Sequence, residues 1–174
     1  MFILGSLVSL LTFPGVVVHE IAHLIFCRLA GVRVHKVCYF RFGNPAGYVI
    51  HDPPKNHWLH LPIAIGPFLL NSVVGIILGC YGTQFYHSQQ AVGYGVCWLG
   101  ISIAMHAFPS TGDARSLWTV AWSKGTPFLL KLAVIPLVIV IYLLSFGSVI
   151  WLDLIYGVVL VFYVPSLIQS FIGL

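Results

Sequence analysis

The chain has 174 residues, of which 59% are apolar and only 7% charged, so it cannot cover the surface of a soluble globule of this size. Its formal net charge of +4 comes from eight Lys and Arg against four Asp and Glu. Those cations sit in loops between apolar runs and at their flanks, as membrane orientation requires; this excludes nucleic acid as a partner and makes the lipid bilayer the first one.

In chain order, the first apolar segment runs from Phe2 to Leu29 and is interrupted by Pro14-Gly15, which is expected to kink or restart the helix. It has no basic leader region and no convincing cleavage site, so it reads as retained rather than as a signal peptide. A polar interval follows from Val32 to His60. Within it, Val34 to Phe42 and Tyr48 to His51 flank Gly43-Asn44-Pro45-Ala46-Gly47, the pattern of a short membrane-edge β-hairpin. The second segment, Leu59 to Tyr81, contains Gly66-Pro67 and Asn71, and an uncharged loop is expected from Gly82 to Gln90. The third, Ala91 to Phe108, is rich in small residues and leads into His106-Ala107-Phe108-Pro109-Ser110-Thr111-Gly112-Asp113-Ala114-Arg115. The fourth, Pro127 to Phe146, and the fifth, Val149 to Leu174, are almost purely apolar apart from Asp153, expected near the outer boundary, and Gln169. The expected fold is therefore an all-α polytopic membrane protein with about five transmembrane helices and a short hairpin after the first. It forms one domain over residues 1–174, with a core over 1–115 and additional helices over 127–172. Cys27, Cys38, Cys80 and Cys97 show no paired spacing and read as small apolar residues.

Five of the eight basic residues, from Arg28 to Lys55, lie in or at the edge of the first connection, and Arg115 and Lys124 lie in the third. The positive-inside rule puts both connections in the cytoplasm; five spans then leave the N-terminus outside and the C-terminus inside.

Within the first segment lies Val16-Val17-Val18-His19-Glu20-Ile21-Ala22-His23-Leu24-Ile25-Phe26, a His-Glu-x-x-His motif that holds the only glutamate of the chain. Residues four apart on a helix are separated by about 40° around the axis and about 6 Å along it, so His19 and His23 share a face and can hold one Zn²⁺. Glu20 is placed to take a proton from an attacking water without being a ligand, which points to metal-assisted hydrolysis. A third ligand is required, and Asp113, a carboxylate in a Pro/Gly-interrupted stretch expected on the same membrane side, is the best candidate. Cys27 lies about 12 Å along the axis from His19, too far for all three to meet one tetrahedral ion.

Taken together, His19-Glu20-Ile21-Ala22-His23, Gly66-Pro67-Phe68-Leu69-Leu70-Asn71 and Pro109-Ser110-Thr111-Gly112-Asp113 resemble the three signatures of site-2 protease type intramembrane metalloproteases. The resemblance covers about Val16 to Arg115. It implies a small helical bundle that hydrolyses a peptide bond in or near a transmembrane segment of a membrane-protein substrate. It also implies His19, His23 and Asp113 as zinc ligands, Glu20 as base, Asn71 as a group that holds the substrate backbone or the oxyanion, and the hairpin as a guide for an extended substrate strand. The third signature usually reads leucine-aspartate-glycine, whereas here Gly112 precedes Asp113 and Ala114 follows it.

Two other classes compete. One is a noncatalytic protease-like subunit bound to partner subunits of a membrane complex; the other is a haem-binding redox subunit using His19 or His23 with His106. The plain readings are a His pair within a bundle, interhelical glue for Asn71, and surface histidines at His35, His51, His57 and His60.

Overall fold

The computed structural model describes residues 2–88 and 90–172; Gln89 in the expected second loop, and Gly173 and Leu174 at the expected end of the fifth segment, lie outside the described residues. The order of elements is α1 (Phe2–Leu11), α2 (Phe13–Leu29), β1 (Val34–Cys38), β2 (Tyr48–His51), α3 (His60–His87), α4 (Ala91–Met105), α5 (Thr111–Ala121), α6 (Phe128–Gly147), α7 (Leu152–Val158) and α8 (Val164–Ile172). A π-helical stretch, Val159–Tyr163, joins α7 to α8 in one rod. Counted that way, the described residues form seven helices and a two-stranded hairpin.

Three stretches, His57–Tyr86, Phe128–Ile150 and Leu152–Phe171, are long and apolar enough to cross a membrane. The count of about five is corrected accordingly: α4 has 15 residues, and the first segment is split into helices of 10 and 17. The split falls at Thr12, and Pro14 sits in the first turn of α2, where its missing N–H costs no helical bond. At the other end, Val32 N–H donates to the Cys27 carbonyl and Gly31 N–H to that of Arg28, with Gly31 at φ 65°. This is a Schellman stop, which only a residue free to adopt the left-handed conformation closes cheaply.

The expected loop from Gly82 is also corrected, because α3 continues to His87. Its last turns pack on α4, with Gly82 against Cys97 and Tyr86 ringed by Tyr94 and Phe162. Tertiary contact outweighs the weak helix propensity of the glycine there. The hairpin forms as expected, antiparallel, with Lys36 opposite Ile50 and Cys38 opposite Tyr48 and an irregularity between Val34 and Lys36.

Close approach of α2 to α4 is set by Gly15, where a Cβ would run into the Ser102 carbonyl. Ser102 Oγ accepts from Gly15 N–H at 3.1 Å and donates to the Thr12 carbonyl at 3.0 Å. A side chain of α4 thus caps the start of α2, which has no side-chain cap of its own.

One apolar core joins Ala64 of α3, Ala114, Leu117 and Val120 of α5, and Leu130, Val134, Val138 and Ile141 of α6. The rod α7–α8 packs elsewhere: Tyr156 bonds Ser72 at 2.7 Å, and Val161 and Pro165 lie against Gly79. Thus α6 meets α3 near Ala64, through the core it shares with α5, whereas α7–α8 packs on α3 from Ser72 toward its Tyr86 end. Between them is a turn at Ser148–Trp151, in which Trp151 is the one non-glycine described residue at positive φ.

Candidate metal centre

The Schellman stop and the Ser102 cap fix α2 at both ends, and the motif occupies its middle. Glu20, Ala22, His23 and Cys27 are buried and His19 is half-buried, all facing α3, α4 and the hairpin. His19 Nδ1 lies 2.7 Å from the His106 carbonyl, and His23 Nδ1 lies 3.0 Å from that of Ile63. A carbonyl only accepts, so both Nδ1 atoms carry the proton and donate, which leaves lone pairs on both Nε2 atoms. Those two Nε2 atoms face each other at 3.2 Å.

Asp113 Oδ1 completes the group, 3.3 Å from His23 Nε2, and the three ligand atoms lie within 4.8 Å of one another. The other carboxylate oxygen, Oδ2, accepts from Ser110 N–H at 2.7 Å and from Ser110 Oγ at 2.6 Å, while Asp113 N–H donates to Ser110 Oγ. This reciprocal capping box starts α5 and clamps Asp113, so the cap of a helix also aims the third candidate ligand. Burial pushes the Asp113 carboxyl up, but the adjacent His23, with smaller contributions from His19 and Ser110, brings it down to about 2. When both imidazoles are neutral, two lone pairs and a carboxylate converge, a donor set that fits a divalent cation of zinc's preferences; a protonated His23 pairs with Asp113 instead.

Glu20 lines a cleft of about 850 Å³ together with His19, His23 and Asp113. Its carboxylate makes no hydrogen bond to the chain among the described residues. Gly47, at the end of the hairpin loop, lies directly on it: a Cβ there would sit 2.6 Å from Glu20 Cγ and 2.7 Å from Oε1. The loop is braced by Arg41, whose N–H donates to the Ala46 carbonyl and whose Nε donates to that of Pro45.

Asn71 is fully buried and does not line the cleft. Its amide Nδ2 reaches the carbonyls of Ile103 and His106, each at 3.1 Å, and of Gly15 at 3.4 Å, while Oδ1 has no hydrogen-bond partner. The His106 carbonyl therefore receives both Asn71 and His19. The His106 ring lines the cleft, with Nε2 2.9 Å from Thr12 Oγ1, whose own proton goes to the Val8 carbonyl. Sequence reasoning did not find Ser110, although Ser-Thr-Gly-Asp is itself a capping-box signature, nor the Gly47 contact, which has no local signal.

A family model described as "Putative zincin peptidase" (DUF3267) matches residues 12–126, more than half of the chain and the whole of the stretch that builds this centre. No curated protein and no solved structure matches the chain. The matched stretch begins at the break before α2 and ends after α5, taking in His19, Glu20, His23 and Asp113: the chain belongs to this zincin peptidase family.

Proposed function

We propose that the chain is a membrane-embedded zinc metallopeptidase of the site-2 protease kind, which hydrolyses a peptide bond in or near a transmembrane segment of a membrane-protein substrate. The observation that carries this reading is the convergence of His19 Nε2, His23 Nε2 and Asp113 Oδ1 on one point of the cleft, with both Nδ1–H groups committed to backbone carbonyls. His19, His23 and Asp113 hold the zinc ion, which when bound supplies a Lewis acid that activates water and polarises the scissile carbonyl.

Glu20 takes the proton of the attacking water and delivers it to the departing amine. Gly47 keeps the hairpin backbone against Glu20, and the polar loop limits access to the cleft. The free edge of the hairpin offers main-chain hydrogen bonds to an extended substrate strand. Asn71 serves this site as a positioning residue through the His106 carbonyl, in place of the substrate or oxyanion contact that the resemblance implied.

The first and third connections meet, since a Cβ on Gly125 would lie 3.9 Å from His57 Cε1. Both connections carry the basic residues and belong in the cytoplasm.

The haem reading is disfavoured, because the two motif Nε2 atoms face each other too closely to admit a porphyrin and His106 Nε2 is engaged by Thr12. Purified protein is expected to hold one zinc per chain. Glu20→Gln keeps the metal and abolishes cleavage, whereas His19→Ala loses the metal. A wild type free of zinc after reconstitution overturns the metal assignment, and unchanged cleavage by Glu20→Gln overturns the role of the base. Retained zinc without cleavage of any membrane peptide leaves the noncatalytic subunit.

A further inference from the structure

The cleft does not end at the motif. The end of α6, the turn after it and the start of α7 also line it, through Ser145, Ser148 and Asp153. Asp153 is half-buried, and its Oδ1 accepts from Leu154 N–H at 2.9 Å. No Lys, Arg or His among the described residues lies within ion-pair distance of it, and Arg115, the cation lining the same cleft from α5, does not pair with it.

A carboxylate in the first turn of a helix gains from the helix dipole, and that role alone needs no cleft. Two further observations ask for more. The chain around Asp153 is apolar enough to cross a membrane, and an ionisable group there is expensive unless something meets it. The turn that presents it is also held in an unfavourable form: Trp151 has φ 63° and ψ 28°, a left-handed conformation that bulky side chains avoid, and buried Gly147 admits Leu152 so closely that a Cβ would lie 2.7 Å from it.

We propose that Asp153 is a specificity-determining residue, the subsite that receives a cationic side chain, lysine or arginine, of the peptide whose scissile bond lies at the metal centre. The inference rests on the peptidase reading. A chain occupying the cleft meets both the group of His19, Glu20 and Asp113 and the unpaired carboxylate of Asp153. A lysine there gains a charged hydrogen bond and ends the isolation of Asp153.

The test uses the zinc-loaded full chain and a model transmembrane peptide in which one lysine is walked through the residues flanking the cleaved bond, each compared with glutamine at the same place. At one position lysine is expected to raise kcat/KM about tenfold or more, the order of one charged hydrogen bond. That ratio collapses to near one in Asp153→Asn and survives in Asp153→Glu. A merely structural role lowers both peptides alike and leaves the ratio standing, which overturns the proposal, as does a wild type with no lysine preference at any position. The same peptides are also titrated onto zinc-loaded Glu20→Gln, with and without Asp153→Asn. Lysine-selective binding to Glu20→Gln that depends on Asp153, together with a zinc-loaded wild type that cleaves none of the peptides, sustains the subsite and sinks the peptidase reading, whereas cleavage by the wild type without selectivity does the reverse.

Discussion

At the scale of single residues, the centre depends on groups that never touch the metal. Ser110 gives two hydrogen bonds to one oxygen of Asp113 and accepts one in return, so removing its hydroxyl frees the carboxylate to rotate. Ser110→Ala is expected to weaken zinc binding by about 10–100-fold and to destabilise α5 by about 1 kcal/mol, measurable by competition with a chelator and by thermal unfolding. The pH dependence follows from the same geometry. Metal binding needs neutral imidazoles, so protons compete with zinc and affinity falls as the pH drops below neutrality. Asp113, brought down to about 2, stays ionised across that range and adds nothing to the slope. Zinc affinity measured from neutral to acidic pH is therefore expected to fall steadily, and an affinity that does not change on acidification contradicts the assignment.

At the scale of elements, the outcome divides by what each signal depends on. His19 and His23 were legible because helical spacing is local, and the hairpin was legible because Gly43 to Gly47 punctuates two extended runs. The helix α5 was not expected. It is short and amphipathic, and the apolar face of Ala114, Leu117 and Val120 gains meaning only beside Ala64 and the α6 residues that cover it. Asn71 was marked as unusual, but whether its amide meets a substrate or three backbone carbonyls depends on how α2 and α4 cross α3, which no single segment encodes. Asn71→Leu is expected to cost about 1–3 kcal/mol by stranding those carbonyls and also to lower zinc affinity through His106 and His19, two readouts that a simple packing defect would not join. Gly47→Ala tests the hairpin against α2. An added methyl meets Glu20, and a displacement of about 1 Å can cost on the order of 100-fold in rate, so kcat should fall while bound zinc remains stoichiometric.

At the scale of the whole molecule, hydropathy marked the apolar segments but not which of them pack together. A run of apolar residues after a turn reads as a returning span packed on the one before it, yet α7–α8 packs chiefly on α3 and α4. The reason is packing: Tyr156 reaches Ser72, and Val161 fits Gly79 and Gly100. Single cysteines placed at residues 43, 124 and 90 in a background lacking the native four check the proposed orientation with an impermeant reagent. The first two should label from the cytoplasmic side and the third from the other; labelling of residues 43 and 124 from opposite sides would overturn it.

The break in the chain after Met105 gives the His106 carbonyl a double meaning. Where a helix stops inside an apolar bundle its carbonyls must find donors, and here they find Asn71 and the imidazole of His19. The imidazole of a candidate metal ligand is thus also the splint of an interrupted helix, and losing it damages the scaffold whether or not anything is cut. Folding alone thus has a use for His19 and Asn71. Glu20 bears no such double duty, since its carboxylate supports no part of the backbone, and so it is the residue whose persistence speaks for chemistry rather than for shape.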